Sequence, residues 1–183
     1  MKSDLGKKKI IDILNKSTYY LEVESTVLRT NLPFLWISGG FLRTIVWDYL
    51  FKTEEKPVFN DIDIIYIENT DHKISEIEIQ NRLTTLNPQF NWSVKEQLNM
   101  AAKNKHPGYK NINDALTYWV ETATAIAINP FGEKKTLLMP FGPNDLLQGI
   151  VKPTTPQYKD LTAKRAEQKG WKKRWPKLIY AFE

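Results

Sequence analysis

Two glycines and two aspartates, separated by one helix-length segment and a charged loop, have types and spacings that could do chemistry. Gly39 and Gly40 follow a short apolar segment, and paired glycines allow positive φ and close approach of a ligand to the backbone. Asp61 and Asp63 are two residues apart, so on a strand both carboxylates leave the same face. Two such carboxylates repel each other unless a cation lies between them. Oxygen-only ligands suit Mg²⁺, which prefers a few carboxylates together with substrate phosphates.

The segments around these residues predict a strand, a glycine turn, a helix, a loop and a second strand. Residues 34–37 are short and apolar and end at Ser38. The following helix carries apolar residues at 42, 45, 46, 49 and 50, the spacing of a helix packed on one face. Its first amides face the turn and form an anion site, and Arg43 lies in that first turn with a fork suited to phosphate oxygens. A phosphate-binding turn beside a metal-binding pair describes a nucleoside triphosphate site.

These residues carry a resemblance to a known superfamily. Gly39-Gly40-x-x-Arg43 followed by Asp61-Ile-Asp63 resembles the DNA polymerase β nucleotidyltransferases, especially tRNA CCA-adding enzymes and bacterial poly(A) polymerases. More narrowly, roughly residues 30 to 178 are similar to a family of small bacterial nucleotidyltransferase-like proteins. Further phrases that carry the narrower match are Arg43-x-x-Val46-Trp47-Asp48, Val94-Lys95-x-Gln97, Glu121-Thr-Ala-Thr-Ala-Ile126, Pro140-Phe-Gly142 and Trp171-x-x-x-Trp175-Pro176.

The resemblance implies a fold and an activity. The fold is α+β: a small mixed β-sheet with helices on one face, a polymerase β-like core with N- and C-terminal helical additions. The activity moves a nucleoside monophosphate from NTP to an acceptor hydroxyl with release of pyrophosphate, using Mg²⁺ or Mn²⁺. Asp61 and Asp63 would be catalytic metal ligands, and the turn would bind the β- and γ-phosphates through Ser38, Gly39, Gly40 and Arg43.

Catalysis in this superfamily implies a third carboxylate on a neighbouring strand. Residues 90–95 are predicted to form that strand, and the position beside Trp92 on the outward face is Ser93, which cannot hold a metal or accept a proton well. Glu96 lies just beyond and is our catalytic candidate, with Glu121 as a second; a surface charge is the alternative for each. The missing acid keeps another function open: a catalytically weak nucleotide- or nucleic-acid-binding protein, or an antitoxin-like partner.

Other site candidates have simpler alternatives. Lys95 could neutralise the triphosphate, or be solvated. Thr122 and Thr124 could line the base or acceptor pocket, although ordinary β-propensity also explains them. The glycine pair could be a plain tight turn, and Arg43 could pair on the surface with Asp48 or Glu54.

Composition excludes several classes of protein. The 183 residues are 42% hydrophobic and 26% charged, which is typical of a globular protein. The absence of cysteine excludes disulfides and thiolate metal sites, and His72 and His106 alone leave little room for a histidine metal cluster. No apolar run is long enough to span a bilayer, and the N-terminal residues lack a signal-peptide core, so the cytoplasm is the expected location.

The net charge of +5 is concentrated at the C-terminal end. Basic residues between 164 and 177 are interleaved with Trp171 and Trp175. Such a stretch could bind nucleic acid, through phosphate contacts and base stacking, or could be a solvated helix whose tryptophans pack on the core. The expected partners are therefore a nucleoside triphosphate and an acceptor (small molecule, protein or RNA end), with nucleic acid as a candidate through 164–177.

The rest of the chain is predicted to frame this site as one domain, residues 1–183. Residues 3–31 are predicted as two helices, with Ser17 capping the second. A helix is predicted over 71–86, capped by Asp71 or Ser75. Residues 122–129 are predicted as a strand antiparallel to 135–139, and a last helix over 158–168 belongs to a basic tail, 151–183.

Overall fold

A five-stranded mixed sheet forms the centre of the computed structural model, which describes residues 2–67 and 74–182. The strand order is β3-β2-β1-β4-β5; β2 and β3 are parallel and the other neighbours are antiparallel. A second sheet pairs two short strands, β6 and β7, in parallel. The strands are β1 Trp36–Ser38, β2 Ile62–Tyr66, β3 Trp92–Glu96, β4 Ala127–Asn129, β5 Thr136–Leu138, β6 Ile150–Val151 and β7 Ile179–Tyr180.

Helices precede, connect and follow the strands. The described helices are α1 Lys2–Leu14, α2 Thr18–Arg29, α3 Gly40–Phe51, α4 Glu76–Leu86, α5 Gln97–Lys103, α6 Ile112–Leu116, α7 Asn144–Gln148, α8 Lys159–Gln168 and α9 Trp171–Arg174. A 3₁₀ turn, Pro156–Tyr158, leads into α8. None of the helices in these two described stretches has the length and apolar character needed to cross a bilayer.

The main core lies between the sheet and the long helices. Ile37, Ile64 and Val94 of the three adjacent strands are fully buried against apolar residues of α3 that include Leu42 and Val46. These sheet residues leave the strands on the face opposite to Asp63, because side chains alternate along a strand. The predicted α+β fold with a small mixed sheet is confirmed.

A smaller apolar cluster covers part of the other sheet face. Ile65 and Ala127 pack beneath Ile112 and Leu116 of α6, with Trp119 at the edge of the cluster. This cluster does not include Asp61 or Asp63. The aspartates therefore lie beside the part of the sheet that α6 covers.

Two predicted helix caps are confirmed. The Ser17 hydroxyl accepts a hydrogen bond from the Tyr20 amide at the start of α2. Ser75 and Glu78 form a reciprocal capping box at the start of α4, which fixes this end of the helix. The alternative cap at Asp71 lies outside the described residues, as does His72.

The strand predicted over residues 122–129 is shorter in the structure. Only Ala127–Asn129 is strand, because the amides of Thr124 and Ala125 both donate to the Glu121 carbonyl and close a turn before it. The predicted antiparallel pairing of this segment with the 135–139 segment is confirmed as β4 with β5. The strands predicted at 34–37 and 90–95 are displaced toward the C-terminus, to β1 and β3.

The C-terminal segment docks on α3. Trp171 and Trp175 are buried, with ring centroids 5.8 and 5.0 Å from that of Trp47. Arg174 donates two hydrogen bonds to the Asp48 carboxylate, of 3.0 and 2.9 Å. The packing alternative therefore holds for both tryptophans, which are not available to stack on nucleic-acid bases.

Candidate functional site

The glycine turn joins the end of β1 to the start of α3. Gly39 is the helix N-cap, with φ 73° and ψ −139°, and has no side chain to cap the first amides. Its own amide donates to the Ile126 carbonyl at 3.0 Å, and the Ser38 hydroxyl donates to the Asp63 carbonyl at 3.1 Å. The turn is thus fixed to two neighbouring segments, while the first amides of α3 keep their donors for a ligand.

Gly39 is confined by two side chains as well as by its φ. A Cβ added at this position would lie 3.0 Å from the Trp119 ring and 3.2 Å from Asp63 Oδ2. Both distances are shorter than ordinary van der Waals contact, so the turn needs glycine here. The aspartate, the turn and the indole therefore meet at one point, and Trp119 is a site residue that the sequence patterns did not indicate.

The two aspartates lie on one side of β2. Asp63 is in register with Ser38 on β1 and with Ser93 on β3, while Asp61 immediately precedes the strand and is exposed. Ile62 is fully buried on the opposite side. The structure brings Asp63 against the glycine turn and leaves Asp61 just before the first residue of β2.

The electrostatic environment of Asp63 favours a cation. Burial, together with the charge of Asp61, raises the pKa of Asp63 to about 6, against a smaller lowering by a hydrogen bond from Ser93 and by Lys169 and Lys95. Within 2–67 and 74–182, no group of three or more His, Cys, Asp or Glu side chains could hold a metal ion. Two carboxylates would leave most ligand positions to water and phosphate oxygens, which fits Mg²⁺.

We expect Asp63→Asn to stabilise the free protein at alkaline pH. Because the pKa in the fold lies above the ordinary 3.8, the stabilising effect of the protonated form is complete below about pH 4 and is lost as pH rises through about 6. At pH 8 the variant should gain about 1–2 kcal/mol in free energy of unfolding, and near pH 4 it should gain nothing. Urea unfolding at both pH values measures this difference.

The matched control is Glu133→Gln, an exposed carboxylate in the loop between β4 and β5. It should change stability by less than about 0.5 kcal/mol at either pH. A gain for Asp63→Asn that is equal at pH 4 and pH 8 would contradict the role of charge.

A cleft of about 350 Å³ opens beside the turn. Its walls are the start of α3 at Gly40, residues 58–61 before β2 and, at the corner between α8 and α9, Gln168, Lys169, Trp171, Arg174 and Trp175. Asp61 lies in this lining, and Lys169 lines the same cleft from the C-terminal segment. The cleft therefore has the aspartate, the helix N-terminus and a lysine in its walls.

Arg43 is a buried cation at the base of this cleft. Only 5% of its surface is exposed, and its guanidinium lies 4.4 Å from the Trp171 ring centroid and 5.1 Å from that of Trp47. It donates to the hydroxyls of Thr124 and Thr44, both at 3.3 Å. In the described part of the chain its buried Nε has no hydrogen-bond partner.

The charge of Arg43 persists at neutral pH. Burial lowers its pKa to about 10, partly offset by the charge of Glu121. The alternative of a surface pair with Asp48 is wrong, because Arg174 binds that carboxylate. This guanidinium is close to the glycine turn, since a Cβ added at Gly40 would lie 3.7 Å from its Nη2, and its contact with phosphate stays a prediction.

The remaining predicted nucleotide-binding residues divide into two groups. Lys95 lies on the same face of β3 as Ser93, 4.0 Å from Glu76, and Thr124 contacts Arg43. Thr122 instead donates to Asp145 Oδ2 at 2.6 Å, toward α7. The structure thus places the Lys95 ammonium beside Glu76, brings Thr124 against Arg43, and directs the Thr122 hydroxyl toward Asp145.

Neither candidate for the third carboxylate reaches the aspartate pair. Glu96 is buried on the face of β3 opposite to Ser93. There its Oε2 accepts a hydrogen bond of 2.7 Å from the Asn99 amide and caps α5. Glu121 is 1% exposed, and its Oε1 accepts a hydrogen bond of 2.6 Å from Arg165. The catalytic role predicted for Glu96 therefore has no geometric support, because the sheet separates it from Asp63.

Comparisons with known proteins agree with this geometry. A family model described as "Nucleotidyltransferase" matches residues 25–180. An NMR structure that reveals a CCA-adding enzyme head domain is 23% identical, with a TM-score of 0.75 and 96% of each chain covered. A comparison with curated proteins finds no match.

Two longer structures share the fold at lower identity. CCA-adding enzyme complexes with CTP and with ATP are 15% and 16% identical, with TM-scores of 0.54 and 0.51. The alignments cover 87% and 94% of this chain but only 40% of each of those enzymes. At these identities the likeness concerns the fold, whereas the family match spans most of the chain: this protein belongs to the nucleotidyltransferase family.

Proposed function

We propose that this protein binds a nucleoside triphosphate with Mg²⁺ or Mn²⁺ and transfers the nucleoside monophosphate to an acceptor hydroxyl. The observation that carries the proposal is the position of two aspartates at the uncapped N-terminus of α3: Asp61 lines the cleft there, and Asp63 lies against Gly39. Family membership supports nucleotidyl transfer, and the CTP and ATP complexes of enzymes with this fold support a nucleoside triphosphate as substrate.

Each residue of the site has a role in this reaction. Asp61 and Asp63 would hold the divalent cation, which supplies positive charge to the phosphates when bound. The first amides of α3 donate to phosphate oxygens, and Arg43 beneath the turn adds positive potential. The acceptor oxygen forms a bond to the α-phosphorus, the bond from that phosphorus to the bridging oxygen breaks, and pyrophosphate leaves with the electron pair.

The acceptor hydroxyl must also lose its proton, and the site has no evident general base for this step. The position on β3 in register with Asp63 is Ser93, and neither Glu96 nor Glu121 lies beside the pair. Help from a general base is typically worth about 10²–10⁴-fold in rate. The same observation favours the second candidate function, a protein that binds the nucleotide and turns it over slowly or not at all.

Calorimetric titration with ATP tests the proposal. We expect the wild type to bind ATP at least about tenfold more tightly with Mg²⁺ than with EDTA, because phosphate and carboxylate oxygens together complete the coordination shell of Mg²⁺. The double variant Asp61→Asn/Asp63→Asn should lose this Mg²⁺ dependence, and Glu133→Gln should keep it. Equal Mg²⁺-dependent binding by wild type and double variant would exclude the aspartates as metal ligands.

The acceptor is a small molecule, a protein or an RNA end. With Trp171 and Trp175 buried, any contact of the C-terminal segment with nucleic acid would depend on exposed lysines and on phosphate charge. Between residues 164 and 177 the exposed lysines are Lys164, Lys169, Lys172, Lys173 and Lys177.

A further inference from the structure

The basic residues of the C-terminal segment near the cleft differ in whether a carboxylate neutralises them. Arg174 is bound by Asp48 and also lies 3.6 Å from a Glu55 oxygen. Arg165 is paired with the buried Glu121. Among the described residues, no carboxylate lies within 4.0 Å of the Lys169 ammonium, so this lysine alone among the three keeps its charge for another anion.

The backbone holds Lys169 at the cleft. It is the C-cap of α8, with its amide donating to the Arg165 carbonyl at 3.0 Å, and Gly170 at φ 62° turns the chain into α9. The next residue, Trp171, is buried against Trp47 and the guanidinium of Arg43. Because a buried tryptophan anchors the corner, the lysine stem starts from a fixed point on the wall of the cleft that also contains Asp61.

The charges around this wall favour a polyanion. Lys169 and Arg43 line one cleft and repel each other, and the charges of Glu121 and Asp61 offset this repulsion only in part, so an entering anion would relieve the rest. The first amides of α3 open on the same cleft from the side of Gly40. A triphosphate carries several negative charges along a chain long enough to meet more than one of these groups.

We propose that Lys169 binds the β- and γ-phosphates of the nucleoside triphosphate and so selects triphosphates over monophosphates. This inference rests on the proposed function, since it takes the same cleft as the nucleotide site. An ammonium group has three donors and acts as a compact charge, which suits terminal phosphate oxygens. The C-terminal segment then serves as the phosphate-binding wall of the site rather than as a tail for nucleic acid.

Calorimetric titration of Lys169→Met with ATP and with AMP, in Mg²⁺ buffer, tests this proposal. ATP affinity should fall about 10- to 100-fold, because a charge-assisted contact is lost. AMP affinity should change less than about twofold, because AMP lacks both phosphates. Lys169→Arg should recover most of the ATP affinity. Lys172→Met, which removes an exposed lysine of α9 outside the cleft lining, is the matched control and should bind both nucleotides as the wild type does.

The melting temperature separates binding from folding. Lys169→Met should melt at or above the wild-type temperature, because it removes a positive charge near Arg43 and Arg165. Unchanged ATP affinity in Lys169→Met, or an equal loss for ATP and AMP, would overturn this inference alone. A wild type that binds no ATP would overturn the proposed function as well.

Discussion

Replacing either Asp61 or Asp63 by Asn is expected to reduce nucleotidyl transfer by at least about 10³-fold. Each substitution removes a negative oxygen from the carboxylate pair beside the glycine turn, so the phosphates would lose charge neutralisation where the transition state needs it. The effect should appear in the rate at saturating nucleotide and Mg²⁺, measured as pyrophosphate release.

Glu133→Gln should retain wild-type turnover in the same assay. Far-UV circular dichroism and the melting temperature should show both Asn variants folded, and Asp63→Asn should be at least as stable as the wild type at pH 8 because it removes a partly buried charge. A loss of less than about tenfold in either Asn variant would contradict a direct role for that aspartate.

Gly39→Ala is expected to be the most destabilising substitution in the turn, with a loss of about 2–4 kcal/mol in free energy of unfolding. The backbone angles of Gly39 lie where residues with a Cβ are strained, and the new methyl group would press on the Trp119 ring and on Asp63 Oδ2. Chemical denaturation measures the loss. In the fraction that remains folded, displaced Asp63 should also weaken Mg²⁺-dependent ATP binding.

Gly142→Ala is the matched control for Gly39→Ala. Gly142 has a similar φ of 76°, yet an added Cβ would meet no atom within 4 Å. It should lose only about 1 kcal/mol, the conformational part of the effect. Equal losses in the two variants would mean that contact with Trp119 and Asp63 contributes nothing.

The sequence predicted the parts of the site that depend on local spacing. Asp63 faces one side of β2 and Ile62 the other because side chains alternate along any strand, and Asp61 directly precedes that strand. Gly39 takes a positive φ that glycine adopts without steric cost. Both features follow from a few neighbouring residues, and so does the cap at Ser17.

Other parts could not be predicted because they depend on partners distant in sequence. Thr122 donates a hydrogen bond to Asp145 and lies outside the strand, which begins at Ala127 and not at residue 122 as expected. Glu96 is used as a helix cap, a local role that competes with any catalytic one. In the sequence Lys169 is one of several basic residues near the C-terminal end, and only the packing of Trp171 on α3 brings it to the cleft.

The central claim is transfer of a nucleoside monophosphate, and parallel reactions with α-³²P and γ-³²P nucleotides test it most directly. Each labelled nucleoside triphosphate is incubated with the wild type, Mg²⁺ and a cell extract that supplies small molecules, proteins and RNA as acceptors. We predict that label from the α position becomes attached to an acceptor, that label from the γ position appears only in pyrophosphate, and that Asp61→Asn/Asp63→Asn abolishes both. Transfer of the γ label to an acceptor, or equal α labelling by the wild type and the double variant, would contradict the claim.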